Sequence, residues 1–120
     1  MFKALILLSR RDDMTHEEFE AWWLGEHAPL AAGLPNVRRA VFNVVDAGHE
    51  AGGPDGVSEL WFDSRAAFDA AYATEIGKTV AADSMAHVGG RVRLFATEHA
   101  IAGDAPRGGR KPRFDHAAAP

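Results

Sequence analysis

The sequence contains no cysteine. A disulfide framework, a thiolate metal site and a cysteine nucleophile are therefore all excluded. Long hydrophobic runs are missing too. The apolar stretch Ala4 to Leu8 is too short for a signal-peptide core or a membrane span. It reads as a buried strand, in a protein expected to be cytoplasmic with no membrane partner. No H-x-H or H-x-x-x-H spacing occurs, so no metal site is expected. The glycine-rich stretch Gly52-Gly53-Pro54-Asp55-Gly56 is not followed by a helix that would offer N–H groups to a phosphate. A nucleotide is thus disfavoured, and no cofactor is expected. There is no internal repeat.

What remains is an ordinary globular balance. Apolar residues make up 47% of the 120 and charged residues 25%, which suits one domain. Charge is uneven along it. Residues 1–102 carry nine Lys/Arg and fifteen Asp/Glu, a net of 9 − 15 = −6. The remainder carries four basic and two acidic residues, 4 − 2 = +2. An acidic body repels nucleic acid. Residues 103–120, rich in Gly, Pro, Ala and Arg, are expected to be a flexible tail to a domain spanning 1–102.

Periodicity predicts the element order. Residues 2–9 read as a strand. Thr15 and Glu18 have the spacing of a capping box, and Phe19, Trp22, Trp23, Glu26, His27 and Leu30 then follow three and four apart on one helical face. Pro29 and Gly33 end that helix. Val37 to Val45 and Val57 to Phe62 read as strands around a loop at 46–56, and Asp63-Ser64 caps a helix at 66–72. A further helix at 75–86 is broken by Gly89 and Gly90, and Arg91 to Ala102 is the last strand. Strand, helix, strand, strand, helix, strand is the α+β, ferredoxin-like βαββαβ order. Its four-stranded antiparallel sheet carries helices on one face. A second copy, closing two sheets into a dimeric α+β barrel, would cover the other face.

Three blocks carry a family likeness: RRDDMTHEEFEAWWLGEHAPLAAGLPNVRR, DGVSELWFDSRAAFDAA, and AADS before a final strand ending TEHAI. Together they resemble the EthD family over about residues 1–102. The resemblance implies a dimeric α+β barrel whose relatives include lactone isomerases, polyketide cyclases and cofactor-free monooxygenases. Thr15, Glu18, Phe19, Trp23, His27, Ala28 and Pro29 match the T-x-x-E-x-F…W-x-x-x-H-A-P block. Members often carry aromatics where this chain has Ala40 and His87.

His27 is the foremost candidate for chemistry. Its imidazole exchanges a proton near neutral pH, and the helix C-terminus favours its charged form. The alternative is a buried helix-end histidine bonded to a carbonyl. Phe19, Trp22 and Trp23, with Trp61 from the third strand, would line an apolar substrate pocket. Glu26 falls near the centre of the apolar stripe, where a carboxylate is paired, protonated or aimed into a cavity. It otherwise sits solvated at an exposed helix end. His49, in the Gly-rich loop, is either a lid residue or solvated. His87 either meets His27 across the pocket or caps a carbonyl. His16 is expected to be solvated, and His99 to lie in the last strand. The leading expectation is an isomerase- or lyase-type enzyme in which His27 is the general acid/base, assisted by Glu26, His49 or His87. An oxygen-using enzyme on a quinol-like substrate, a non-catalytic binding protein and a purely structural dimer are the alternatives.

Overall fold

The computed structural model describes residues 1–46 and 52–103. Almost all of the expected tail lies outside them. Four strands, β1 (Phe2–Arg10), β2 (Arg39–Val44), β3 (Gly56–Phe62) and β4 (Val88–Thr97), form one antiparallel sheet in the order β2-β3-β1-β4. Between β1 and β2 lies a helix in three pieces. These are α1 (His16–Trp22), a π turn (Trp23–His27) and α2 (Ala28–Ala31). Between β3 and β4 lie α3 (Arg65–Ala73) and α4 (Glu75–His87). This is the ferredoxin-like α+β arrangement that the element order predicts.

Alternation along β1 separates two faces. Ala4, Ile6 and Leu8 join the core beneath the helices, with Phe19, Trp22, Trp23, Leu60, Phe62 and Phe68. Lys3, Leu5 and Leu7 point the other way. Pairing of Leu5 with Leu94 and Leu7 with Val92 extends that second face onto β4. Among the described residues no helix covers it, and Val92 and Leu94 are 52% and 47% exposed.

Local chemistry sets the helix boundaries. Thr15 and Glu18 form the expected reciprocal box: Glu18 N–H donates to Thr15 Oγ1 at 3.0 Å, and Thr15 N–H donates to Glu18 Oε1 at 2.8 Å. Ser64 accepts from Ala67 N–H to open α3, and Thr74 accepts from Gly77 N–H to open α4. Such caps each contribute about 1 kcal/mol.

Gly89 and Gly90 do not break the chain as predicted; both lie inside β4. A Cβ on Gly89 would stand 2.8 Å from the Arg10 carbonyl oxygen, beside the register shift between Ser9 and Arg10. Here glycine permits close approach of two strands at a bulge. The strand ends at Thr97, so His99 lies beyond it, exposed.

Candidate functional site

The site begins with an irregularity in the first helix. Ala28 N–H donates to the Trp23 carbonyl, five residues back, rather than four. Pro29 offers a local reason, since it has no N–H and its ring crowds the carbonyl four residues before it. In an α-helix each residue turns about 100°, which would bring Glu26 round beneath Phe19. The wider turn rotates each residue less. His27 therefore arrives at the core instead, 5% exposed, while Glu26 faces solvent. Of the two readings of Glu26, the place in the apolar stripe is overturned for this reason, and the exposed helix-end position holds.

His27 is held from α4. Its Nδ1 lies 2.8 Å from Asp83 Oδ2. A carboxylate accepts, so Nδ1–H donates and Nε2 is left as the ring's acceptor. The same Oδ2 accepts from Trp22 Nε1–H at 3.2 Å. Around this pair the rings stack. Trp22 lies 4.7 Å from His87 and 5.1 Å from His27, centroid to centroid, and Phe42 lies 4.3 Å from Trp23. Of the two roles expected for His87 the structure shows the carbonyl cap; the ring does not line the cavity beside His27. The Nδ1 of His87 is 2.8 Å from the Asp83 carbonyl oxygen, capping its own helix, and 3.4 Å from Asp83 Oδ1. His27 and His87 thus approach one another through Asp83. That residue was missed in the sequence, although an acid four residues before a histidine on one helix face was a visible signal.

Between helices and sheet lies a cavity of about 20 Å³, room for a single water. His27, Trp23, Phe42, Tyr72, Ser84 and Arg91 are among its lining. An organic molecule can occupy it only if side chains move. Of the lining residues Arg91 alone is exposed. Burial pushes the Tyr72 hydroxyl up from its ordinary pKa, and the Arg93 and Arg91 guanidiniums pull it part of the way back. Trp23 Nε1–H is buried with no acceptor among the described residues.

The other expected pocket residues are distributed differently. Phe19 is fully buried beneath the site, in ring contact with Trp22 and Trp23, and does not line the cavity. Trp22 braces His27 and Asp83 from the side. Trp61 is on the wrong face of the sheet, because its neighbour Leu60 points to the helices. Lys3 and Arg39 lie over its ring at 4.7 and 4.5 Å, and its Nε1–H donates to Glu98. Glu59 belongs to this far cluster. Burial raises its pKa, but bonds from Lys3 and Asn43 and the charges of Lys3 and Arg39 more than offset that, leaving it below the ordinary value. His49 lies outside the described residues. His16 is not solvated as expected: its Nδ1 is 2.9 Å from Asp55 Oδ1.

Among the described residues no group of three His, Asp or Glu side chains is placed to hold a metal ion, and no helix is long and apolar enough to cross a membrane.

The family model of the EthD domain matches residues 11–89, more than half of the chain. No curated protein matches. Among solved structures, an EthD family protein from Bacillus halodurans is similar at TM-score 0.69 and 21% identity, over 82% of this chain and 100% of that one. A dimeric ferredoxin-like protein from Thermobifida fusca is similar at TM-score 0.65 and 20% identity, over 81% and 90%. SnoaB of Streptomyces nogalater, a cofactor-independent oxygenase, is similar at TM-score 0.61 and 15% identity, over 83% and 94%. At these identities the structures establish the shared fold.

Proposed function

The chain belongs to the EthD domain family, and on that footing we propose that it catalyses proton transfer on a small hydrophobic organic substrate without a cofactor. One observation carries the reading: the 2.8 Å contact between His27 Nδ1 and Asp83. A histidine whose Nδ1–H is fixed by a carboxylate presents Nε2 as a base of defined orientation. Nε2 takes a proton from an acidic C–H or O–H and returns it elsewhere on the molecule, which is isomerisation or elimination. Trp22, in tilted ring contact with the imidazole and bonded to the same Asp83 oxygen, limits the imidazole's movement. Trp23 and Phe42 supply apolar walls, and Arg91 and Tyr72 line the same cavity.

A second reading shares the first step. The fold likeness to SnoaB, itself a cofactor-independent oxygenase, supports a quinol-like substrate that His27 deprotonates before oxygen reacts. The Thermobifida likeness, described as dimeric, and the uncovered Leu5, Leu7, Val92 and Leu94 support a homodimer closed sheet to sheet.

The test is hydrogen–deuterium exchange of the α-protons of simple lactones and cyclic ketones in D₂O, followed by NMR. Wild type is expected to accelerate exchange, and His27→Gln to lower the rate roughly 10²–10⁴-fold. Equal rates for the two proteins would remove His27 from the chemistry.

A further inference from the structure

Arg91 is the feature that proton transfer alone leaves unexplained. Its register opposite Leu8 places it on the helix side of the sheet, where it lines the cavity that His27 lines. Among the described residues it has no ion-pair partner, whereas Arg10, Arg11, Arg38 and Arg65 each hold an aspartate. Among the described residues no Asp or Glu lines the cavity, although residues 1–102 carry a surplus of acids. One cation, no counter-charge and apolar walls make a cavity that favours negative charge. Trp23 Nε1–H adds a buried donor in the same wall that lacks an acceptor, a state native interiors rarely leave.

We infer that Arg91 is the anion-binding residue of this site, and that the substrate is one whose oxygen is, or becomes, an oxyanion: an enolisable carbonyl compound or a phenol. The inference rests on the proposed role of His27. In the step it describes, Nε2 removes the proton from the carbon beside a carbonyl. The C–H bond breaks and an N–H bond forms. The electron pair moves to the carbonyl oxygen, and the guanidinium of Arg91 holds the resulting enolate. The imidazolium then gives its proton to another carbon of the same molecule, so no oxidant or co-reactant is needed. Guanidinium suits this task because it stays charged at every relevant pH and presents its donors as a fork. Donors placed where charge develops also favour the transition state over the ground state.

The probe is 4-nitrophenol, whose colour reports its own ionisation. It is titrated across neutral pH against full-length wild type, Arg91→Gln, Arg93→Gln and His27→Gln. Wild type is expected to bind the phenolate about tenfold more tightly than the neutral phenol, lowering the ionisation midpoint by about one pH unit. Arg91→Gln is expected to abolish that preference while neutral phenol binds as before. Arg93 lies on the same face but over Phe68 and Phe95, outside the cavity lining, so Arg93→Gln should keep the preference. His27→Gln should keep it too while losing proton exchange. That separates the two ideas. Arg91-dependent phenolate binding without any exchange leaves the anion site standing and removes the base. Equal affinity for phenol and phenolate, no binding of either, or an equal effect of Arg91→Gln and Arg93→Gln overturns the anion site.

Discussion

Two aspartates in this fold, Asp83 and Asp55, each meet a histidine of the first helix. His27 and Asp83 are 2.8 Å apart; His16 and Asp55 are 2.9 Å apart. Distance does not separate them, but surroundings do. The Asp55 side chain is 3% exposed and accepts from Arg10 N–H at 2.8 Å and from Arg10 Nη1 at 2.6 Å as well as from His16. Its backbone N–H donates to the Leu8 carbonyl, and its own carbonyl accepts from Val45 N–H. It ties β1, β2, β3 and the start of α1 together. Asp83 is 19% exposed, meets Trp22, His27 and its own helix's His87 through its carboxylate, and stands beside a cavity through His27. A pair saturated by backbone and arginine is a structural clamp. A pair whose histidine lines a cavity is equipped to exchange protons.

Substitutions should split the two. Asp83→Asn is expected to lower proton-exchange turnover about ten- to hundredfold, because the amide no longer fixes the ring's tautomer. Its pH–rate profile should change while its thermal midpoint stays close to wild type. Asp55→Asn should do the reverse. It is expected to cost about 2 kcal/mol in urea unfolding, since Arg10 N–H and its guanidinium lose an ionic acceptor, with exposure of the arginine limiting the loss. Turnover per folded molecule should not change. If Asp83→Asn unfolds the protein and Asp55→Asn impairs exchange, the comparison is wrong.

Gly56 sharpens the boundary between the two regions. It follows Asp55, and a Cβ there would lie 2.5 Å from the Trp23 ring. Gly56→Ala must push Trp23 against Phe42, an overpacking expected to cost about 1–2 kcal/mol and to alter the cavity wall. Intrinsic tryptophan fluorescence and exchange rate should therefore shift together.

The smallest effect is in acid. Burial alone would raise the Asp55 pKa, but the Arg10 amide, the His16 ring and the Arg10 guanidinium more than offset it and hold it below the ordinary value. The unfolded chain takes up this proton first as pH falls. Stability from Asp55 is thus fully present above about pH 4 and is lost as pH drops through the lower folded value. The gap between wild type and Asp55→Asn should narrow as pH falls from about 5 to about 3. A gap that widens on acidification would mean the carboxyl is not ionised in the fold.

Much of this was legible in the chain. The capping box, the strand order and the burial of Trp22 and Trp23 follow from spacing and polarity, which act locally. His27 was legible by its family motif and its place near the helix end. Asp83 was not, because nothing local links it to a histidine 56 residues earlier; only packing of α4 on the first helix joins them. Glu26 was misplaced because a constant 100° rotation was assumed across a turn that does not keep it. Trp61 does not line the pocket expected of it because alternation along β3 turns it to the face opposite Leu60. Asp55 looked like ordinary loop chemistry, yet it is among the most buried polar residues described.

The five-residue turn at Trp23–His27 has a consequence for anyone comparing or redesigning this helix. It acts as though one residue had been spliced in, so the segments before and after it obey different frames. Deleting Gly25, which has open space where a side chain would be, should restore a uniform α-helix. The excision would leave every later residue, His27 included, close to its present bearing, because it removes the one step of rotation that the wide turn absorbs.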